Sequence, residues 1–351
     1  MTSHTAIHPL LRRYLAVLLL GSAGLLLGGC SSTMPAWRAT DTTQTAAAES
    51  PTSEEHAREL LARSIAVHGD LRTERRDLAV AYEGTWGRLI RRLQPVLVDY
   101  DYRHSSEERL MFGGERIVIA QTHQGPNGVK HVLRNPAEGV TAVWYDDDSS
   151  TDADIASASA LVADAYVLFI LGPSYFGRPG VDLQMAPPTS EDGVPYDRIS
   201  ARLRPGFGDS AEDFATLWIE RSSSRLFRVE ITLEGTPQTQ GATVDVTFSQ
   251  HRRFGDYLVP TFFYERVRSP VRTFAHSWRL TGFDLDRGIR LTELDGPRFD
   301  GAAAASARAL EVSDPADGRS NNPISQQANA ASSKPGETSE TGSRLRSVRG
   351  P

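Results

Sequence analysis

The feature that most constrains the fold is an alternation of apolar and polar residues that begins after Asp77 and continues over most of the remaining chain. In the clearest run, from Phe227 to Leu233, apolar side chains alternate with Arg228, Glu230 and Thr232. Successive side chains of a β-strand point to opposite faces of its sheet, so this period predicts strands with one apolar and one wet face. The same pattern occurs at Val244, Val246 and Phe248, at Phe262 and Tyr264, and at Phe274, His276, Trp278 and Leu280.

Earlier parts of the chain show the same alternation. Leu78, Val80 and Tyr82 predict a first strand, and the segment from Val96 to Tyr102 predicts another. Turn-forming residues separate neighbouring strands, which predicts a meander. The predicted turns are at Gly113 and Gly114, at Pro126 to Gly128, at Gly235 to Gly241, and at Gly255 and Asp256.

Helical signals occur at two places. Thr52 and Glu55 have the spacing of a capping box, and Gly69 supplies a C-terminal stop, so a helix is predicted between them. A second helix is predicted from about Asp154 to Leu171, where the chain is apolar almost all round. Such a helix must be covered on most sides, so we expect it to lie across the apolar face of the sheet or at the mouth of a cavity.

The predicted fold class is therefore α+β and mainly β. It is a large antiparallel meander that forms a half-open barrel, with an N-terminal helix and an inserted apolar helix on its concave face.

The first thirty residues have the layout of a secretory signal. Arg12 and Arg13 precede an apolar stretch from Tyr14 to Leu27, which is shorter than the ~20 residues that a membrane-crossing helix needs. The stretch ends in Leu27, Gly28, Gly29 and Cys30, which resemble the lipobox of bacterial lipoproteins. That resemblance implies cleavage before Cys30 and acylation of its sulfur, whereas the alternative is an ordinary signal peptide with a chance cysteine.

Polar, low-complexity segments flank the predicted sheet. Residues from Ser31 to Pro51 are mostly Ser, Thr and Ala, and the chain after Ser313 has no aromatic residue, so neither segment can bury enough apolar surface to fold. We predict a signal peptide at 1–29, a lipidated cysteine and flexible tether at 30–51, a β domain at 52–300 and a disordered tail at 301–351.

The strands of the second half carry a resemblance to a known family. Trp218 to Glu220, Arg225 to Leu233, Val244 to Phe248 and the Gly-to-Pro spacing of Gly255 and Pro260, followed by Tyr264 and Glu265, follow the rhythm of later strands in the lipoprotein-carrier superfamily, which includes outer-membrane lipoprotein-sorting proteins. The resemblance implies a half-open β-barrel around an apolar cavity that holds acyl chains. Ser31 after the cysteine resembles the outer-membrane sorting signal, which implies a lipid-anchored protein of the bacterial envelope at the outer membrane, facing the periplasm.

On this resemblance we predict that the protein binds a lipid or acyl chain, and on the lipobox we predict that it is anchored to its membrane by lipid. The alternative is a filled core in an envelope scaffold protein that docks a protein partner, because aromatic alternation alone does not distinguish a packed core from a cavity. The predicted cavity residues are Phe169, Phe227, Val229, Ile231, Val244, Val246, Phe248, Phe262, Tyr264, Trp278 and Leu280.

Signatures of catalysis and of other ligands are weak. The chain has no Gly-x-Ser-x-Gly elbow, His-Glu-x-x-His pair, Walker loop or dinucleotide fingerprint, so we expect no enzyme and no cofactor. The acidic run around Asp146 lacks the glycine and glutamate of a calcium loop, because Thr151 and Ser157 occupy those positions. It favours a solvated loop that caps the following helix. A net charge of -6 argues against nucleic acid as a partner.

One cluster of basic residues has two interpretations. Arg88, Arg91 and Arg92 lie beside Leu89 and Ile90. The guanidinium groups suit lipid phosphates, but codon usage explains the arginines equally well.

Overall fold

The computed structural model describes residues 52–113, 116–235 and 239–298, and the backbone of 312–313. The predicted signal peptide, lipobox, Cys30, tether and nearly all of the predicted tail lie outside these residues. The α-helices are α1 (Ser53–His68), α2 (Leu71–Glu74), α3 (Arg88–Leu93), α4 (Pro95–Val98) and α5 (Ala153–Leu171), and 3-10 turns cover Tyr100–Tyr102, Gly172–Gly177 and Leu291–Glu293.

The strands form one antiparallel sheet, which confirms the predicted fold class. Along the described chain their order is β6-β5-β4-β3-β2-β1-β13-β12-β11-β10-β9-β8-β7, and β14 pairs separately with β11. The strands are β1 (Asp77–Trp86), β2 (Ser105–Gly113), β3 (Arg116–Gly125), β4 (Gly128–Asn135), β5 (Val140–Tyr145), β6 (Asp148–Ser149), β7 (Val181–Glu191), β8 (Val194–Leu203), β9 (Asp213–Glu220), β10 (Leu226–Leu233), β11 (Ala242–Phe254), β12 (Tyr257–Ser269), β13 (Thr273–Leu285) and β14 (Val312–Ser313).

The order divides into two meanders, β1 to β6 and β7 to β13, which meet where β1 pairs with β13. Because β6 and β7 lie at opposite ends of the order, the chain between them must cross the sheet. The crossing segment is α5 with its following 3-10 turn, as the inserted-helix prediction expected. By length and composition, Ala153–Gly177 is apolar enough to span a membrane, with a mean hydropathy of 1.9. In the structure, however, most of its side chains are buried against the sheet.

Helix α1 has the predicted caps. The Thr52 hydroxyl accepts a hydrogen bond from the Glu55 backbone N–H, the Glu55 carboxylate accepts one from the Thr52 N–H, and Gly69 ends the helix at φ 84°. A Cβ atom at Gly69 would lie 2.5 Å from the Tyr257 ring, so the stop requires glycine for both its backbone angle and its space.

The segment from Val96 to Tyr102 was predicted as a strand, and that prediction was wrong. Pro95 occupies the first turn of α4, where its missing N–H costs nothing. Asp99 then adopts a left-handed φ of 46° and starts a 3-10 turn. The alternation of apolar residues was real, but Pro95 and Asp99 impose helical turns on it.

The main core lies between α5 and the face of the sheet that α5 covers, which we call the inner face. Val80, Leu217 and Val229 point to this face and are almost completely buried. On α5, the Phe169 ring stacks on Phe263 at a centroid distance of 5.7 Å. The helix is therefore held by apolar contact with the strands beneath it.

Candidate ligand-binding pocket

Helix α5 is fixed at both ends. The Asp152 carboxylate accepts hydrogen bonds from the backbone N–H groups of Asp154 (2.8 Å) and Ile155 (3.3 Å), which confirms that the acidic loop caps the following helix. At the other end, Gly172 has φ 55° and its N–H bonds to the Leu168 carbonyl. Phe169 and Ala165 are thereby placed above the sheet.

An apolar pocket of about 350 Å³ lies beside α5. Its volume falls in the range of ~300–1,000 Å³ that is typical of small-molecule sites. Helices α3 and α4 form one wall, α5 forms a second, and strands β10 to β13 form the floor. The apolar lining residues are Trp86, Ile90, Leu93, Leu97, Val98, Leu161, Val162, Ala165, Phe169, Phe207, Ile231, Leu233, Ala242, Val244, Val267, Pro270, Val271 and Ala275.

The wall formed by α3 and α4 depends on a close approach of the chain at Gly87. The Gly87 N–H donates to the Ala275 carbonyl at 2.8 Å, and a Cβ atom at Gly87 would lie 2.2 Å from the Phe274 carbonyl oxygen. After this contact the chain turns into α3 instead of continuing along the sheet. Leu93 and Val271 form part of the rim and are 51% and 46% exposed, so the pocket opens to solvent there.

Three of the predicted cavity residues line this pocket: Phe169, Ile231 and Val244. Five others lie on the inner face within the filled core. Phe248, for example, packs its ring against Phe263 at 5.5 Å. The five that pack in the main core are Val229, Val246, Phe248, Trp278 and Leu280.

Phe227, Phe262 and Tyr264 lie on the outer face, so their prediction as cavity residues is corrected. Phe262 pairs with Arg279, whose guanidinium lies over its ring at 5.1 Å, and Tyr264 stacks on Phe274 at 5.1 Å.

A β-bulge explains the position of Phe227. The bulge lies between Leu226 and Arg228, shifts the register against β9, and leaves Phe227 stacked on Tyr196 at 4.7 Å. A bulge adds one residue to a strand and so reverses the apparent alternation. Strict alternation through Phe227 therefore assigned it to the wrong face.

Two polar groups on the pocket wall come from the sheet. The His276 Nε2 atom lies 3.1 Å from the Glu265 Oε2 atom, and both residues line the pocket. His276 is buried, and its contact with Glu265 is that of a hydrogen-bonded histidine in the interior.

Arg103 is a pocket residue that the sequence analysis missed. Its side chain is 2% exposed and its guanidinium lies over the Trp86 ring at 4.6 Å. The Nη1 atom donates to the Leu97 carbonyl at 3.1 Å and Nη2 donates to the Tyr166 hydroxyl at 3.4 Å. Arg103 follows the segment that was predicted as a strand, and its sequence neighbours gave no signal of burial.

A buried polar cluster adjoins the pocket behind Arg103 and Tyr166. It occupies the inner face of β2, β3 and β4, where Glu108 pairs with Gln121. Burial raises the pKa of Glu108 to about 8, although the Ser106 hydroxyl and the charge of Arg103 act in the opposite direction. The other members of the cluster are Ser106, His123 and Lys130.

The remaining charges of this cluster are paired or suppressed. Burial lowers the pKa of His123 well below its usual value, and the nearby charge of Arg103 lowers it further. Lys130 Nζ donates to Asp99 at 2.7 Å, and the Tyr145 hydroxyl donates to the same carboxylate oxygen at 2.7 Å. The Asp99 carboxylate is thus paired with Lys130 and hydrogen-bonded by Tyr145.

The arginines of α3 lie along the outside of the pocket wall. Arg88, Arg91 and Arg92 border a separate, polar hollow with Tyr100, and the Arg91 guanidinium lies over the Tyr100 ring at 4.0 Å. Among the described residues, no group of three or more His, Cys, Asp or Glu side chains is placed to hold a metal ion.

The fold and the pocket define a class of protein: an open, antiparallel β-sheet whose inner face is crossed by an apolar helix, with an apolar pocket beside that helix. The sequence matches no protein-family model and no curated protein.

Among solved structures, the chain is similar to a DUF1329 family protein from Desulfovibrio piger, at 11% identity and a TM-score of 0.45, covering 70% of this chain and 98% of that one. It is similar to a LolA superfamily protein from Nitrosomonas europaea, at 9% identity and a TM-score of 0.40, covering 68% and 97%. It is also similar to an outer membrane lipoprotein-sorting protein domain from Vibrio parahaemolyticus, at 10% identity and a TM-score of 0.36, covering 69% and 96%. The second and third of these structures carry names from the superfamily that the sequence resembles.

Proposed function

We propose that this protein binds the hydrocarbon chain of a lipid in the apolar pocket and handles lipid in the bacterial envelope without catalysing a reaction. The observation that carries the proposal is the pocket itself, about 350 Å³ in volume and lined mainly by aliphatic and aromatic side chains. Burial of each methylene group contributes ~0.8 kcal/mol, so a ten-carbon segment contributes on the order of 8 kcal/mol before the costs of ordering.

The rim of the pocket supports entry of a ligand from solvent or from a membrane. Leu93 and Val271 are exposed apolar residues at its edge. Ile231 and Val244 lie on neighbouring strands of the floor. A hydrocarbon chain that enters at the rim can therefore reach apolar side chains on the floor of the pocket.

A binding titration tests the pocket. The full chain carrying Cys30→Ala is titrated with the methyl ester of cis-parinaric acid, a neutral fluorescent acyl chain. Ala165→Trp places an indole in the pocket and is expected to weaken binding by at least about tenfold. Ala156→Trp is the matched control, because Ala156 is on the same helix and does not line the pocket.

Two results would contradict the proposal. One is the absence of saturable binding to the parent chain. The other is equal affinity of the Ala165→Trp and Ala156→Trp proteins when both retain the parent's circular dichroism spectrum.

We further propose that Cys30 carries a lipid anchor and that the protein is held at the outer membrane. The support is the sequence Leu27, Gly28, Gly29 and Cys30 after an apolar stretch, with Ser31 following. Growth with an alkyne analogue of palmitate is expected to label the parent protein and not the Cys30→Ala variant. If the parent protein is found unlabelled in the soluble periplasmic fraction, the lipid anchor is refuted and the pocket proposal is unaffected.

A further inference from the structure

The wall of the apolar pocket contains a buried cation, Arg103. Its two terminal nitrogens donate only to neutral acceptors, the Leu97 carbonyl and the Tyr166 hydroxyl. Its Nε atom is buried and has no hydrogen-bond partner among the described residues. Among those residues Arg103 also forms no ion pair with a carboxylate.

A buried charge without a counter-ion is unfavourable by several kcal/mol. The elements around Arg103 do not supply one. From β2, Glu108 is largely protonated at pH 7, because burial raises its pKa to about 8. On β4, Lys130 is itself a cation, and it forms an ion pair with Asp99 at 2.7 Å. His123 on β3 is neutral because burial lowers its pKa.

Among the described residues that line the pocket, the one carboxylate is that of Glu265. It contacts His276 at 3.1 Å on the adjoining strand. The two rings beside Arg103, Trp86 at 4.6 Å and Tyr166 at 5.8 Å, hold the plane of the guanidinium. An arginine held in this way presents a fixed donor to an anion, and a hydrogen bond between two charged groups is roughly twice as strong as a neutral one.

From this geometry, and on the basis of the proposed function, we infer that the ligand is an acidic amphiphile. Its hydrocarbon chain lies along the apolar lining near Ile231 and Val244, and its anionic group, a carboxylate or a phosphate, is bound by Arg103. The anion supplies the counter-charge that the described residues do not, and the chain supplies most of the buried area.

The test compares two probes that differ only in charge. The full chain carrying Cys30→Ala is titrated at pH 7.5 with cis-parinaric acid and with its methyl ester. A charge-assisted hydrogen bond is expected to favour the acid by about tenfold or more. Arg103→Gln keeps a side-chain N–H donor but removes the charge, so it is expected to abolish the preference while leaving affinity for the ester nearly unchanged.

Arg92→Gln is the matched control, since Arg92 is exposed on α3 and does not line the pocket. It is expected to retain the preference for the acid. Competition by dodecanoate and by dodecyl phosphate, each against dodecanol, identifies the anionic group as carboxylate or phosphate. Both anions are expected to displace parinaric acid better than dodecanol does.

Equal affinity of the parent chain for the acid and its ester would overturn the inference, and this comparison needs no variant to fold. Equal loss of the preference in Arg103→Gln and Arg92→Gln would overturn it as well, because it would indicate general surface charge. Saturable binding of the ester in either case leaves the proposed function standing. Failure of both probes to bind would reject the proposed function itself.

Discussion

Replacement of Glu108 by glutamine is expected to make the protein more stable at neutral and basic pH. Glu108 is completely buried on β2, between Val80 on β1 and Gln121 on β3. Burial raises the pKa of its carboxyl group to about 8 from a usual value of 4.5. Between these two values the unfolded chain has lost the proton that the folded chain still holds. The free energy of unfolding therefore falls as the pH rises from about 4.5 to about 8.

The size of this fall follows from the two pKa values. One pKa unit corresponds to ~1.4 kcal/mol, so the complete fall is on the order of 5 kcal/mol. Glutamine has nearly the shape of the protonated glutamic acid and does not ionise. We expect Glu108→Gln to match the parent chain near pH 4.5 and to exceed it by several kcal/mol at pH 8.5.

Urea denaturation at intervals from pH 4.5 to pH 8.5, followed by tryptophan fluorescence, measures the effect. Glu107→Gln is the control, because its side chain alternates with that of Glu108 and its charge is the smallest of the causes of the raised Glu108 pKa, so that variant should keep most of the parent's slope. Parallel curves for Glu108→Gln and the parent chain would refute the reasoning. A variant less stable at every pH would indicate that Glu108 is ionised and serves as the counter-ion of Arg103.

The other predictions concern single contacts. The His68 Nδ1 and Nε2 atoms contact the Leu258 carbonyl at 2.9 Å and the Leu226 N–H at 3.1 Å, and burial lowers the His68 pKa to about 4. His68 therefore lowers the free energy of unfolding by roughly 3 kcal/mol as the pH falls from about 6.5 to about 4. His68→Gln should reduce this loss of stability in urea denaturation over the same pH range, and an unchanged loss would contradict the reasoning. Asp77→Ala should cost about 3 kcal/mol in urea denaturation, because its carboxylate accepts three backbone N–H bonds from residues 287–289; a cost below ~1 kcal/mol would count against it. Phe263→Ala should lower the free energy of unfolding by ~3–5 kcal/mol in thermal denaturation, because Phe263 packs within the main core. Phe262→Ala should lower it less, because Phe262 lies on the outer face; the reverse ranking would contradict the assigned faces.

The elements that could be predicted from the sequence are those whose local signals agree with their packing. The capping box at Thr52 and the stop at Gly69 define α1 in both sequence and structure. The apolar run that ends at Leu171 requires cover on most sides, and in the structure its side chains are buried.

The errors arose where a local deviation changes the register without changing the composition. The bulge before Arg228 moves Phe227 to the outer face. On β12, Phe262 and Phe263 are adjacent aromatic residues, and only pairing with β13 decides that Phe263 faces α5. Alternation fixes the period of a strand, but the face that it buries is decided by its partners.

The polar cluster could not be predicted from alternation, because there the inward positions of β2 and β3 are polar. Ser106 and Glu108 alternate with other polar residues, so the pattern has no contrast between its two faces. The cluster was therefore not recognised as interior. Glu108 and Gln121 are nevertheless completely buried.

The interior thus has two chemically different parts, and the pocket lies at their boundary. Strands β10 to β13 present Ile231 and Val244 to the pocket, whereas the cluster on β2 to β4 reaches it through Arg103 and Tyr166. A purely apolar ligand would leave the charge of Arg103 without a counter-ion, and a small anion would leave the apolar lining in contact with water. A molecule with a hydrocarbon chain at one end and an anionic group at the other satisfies both parts, because burial of the chain supplies the affinity and the anion fixes its orientation.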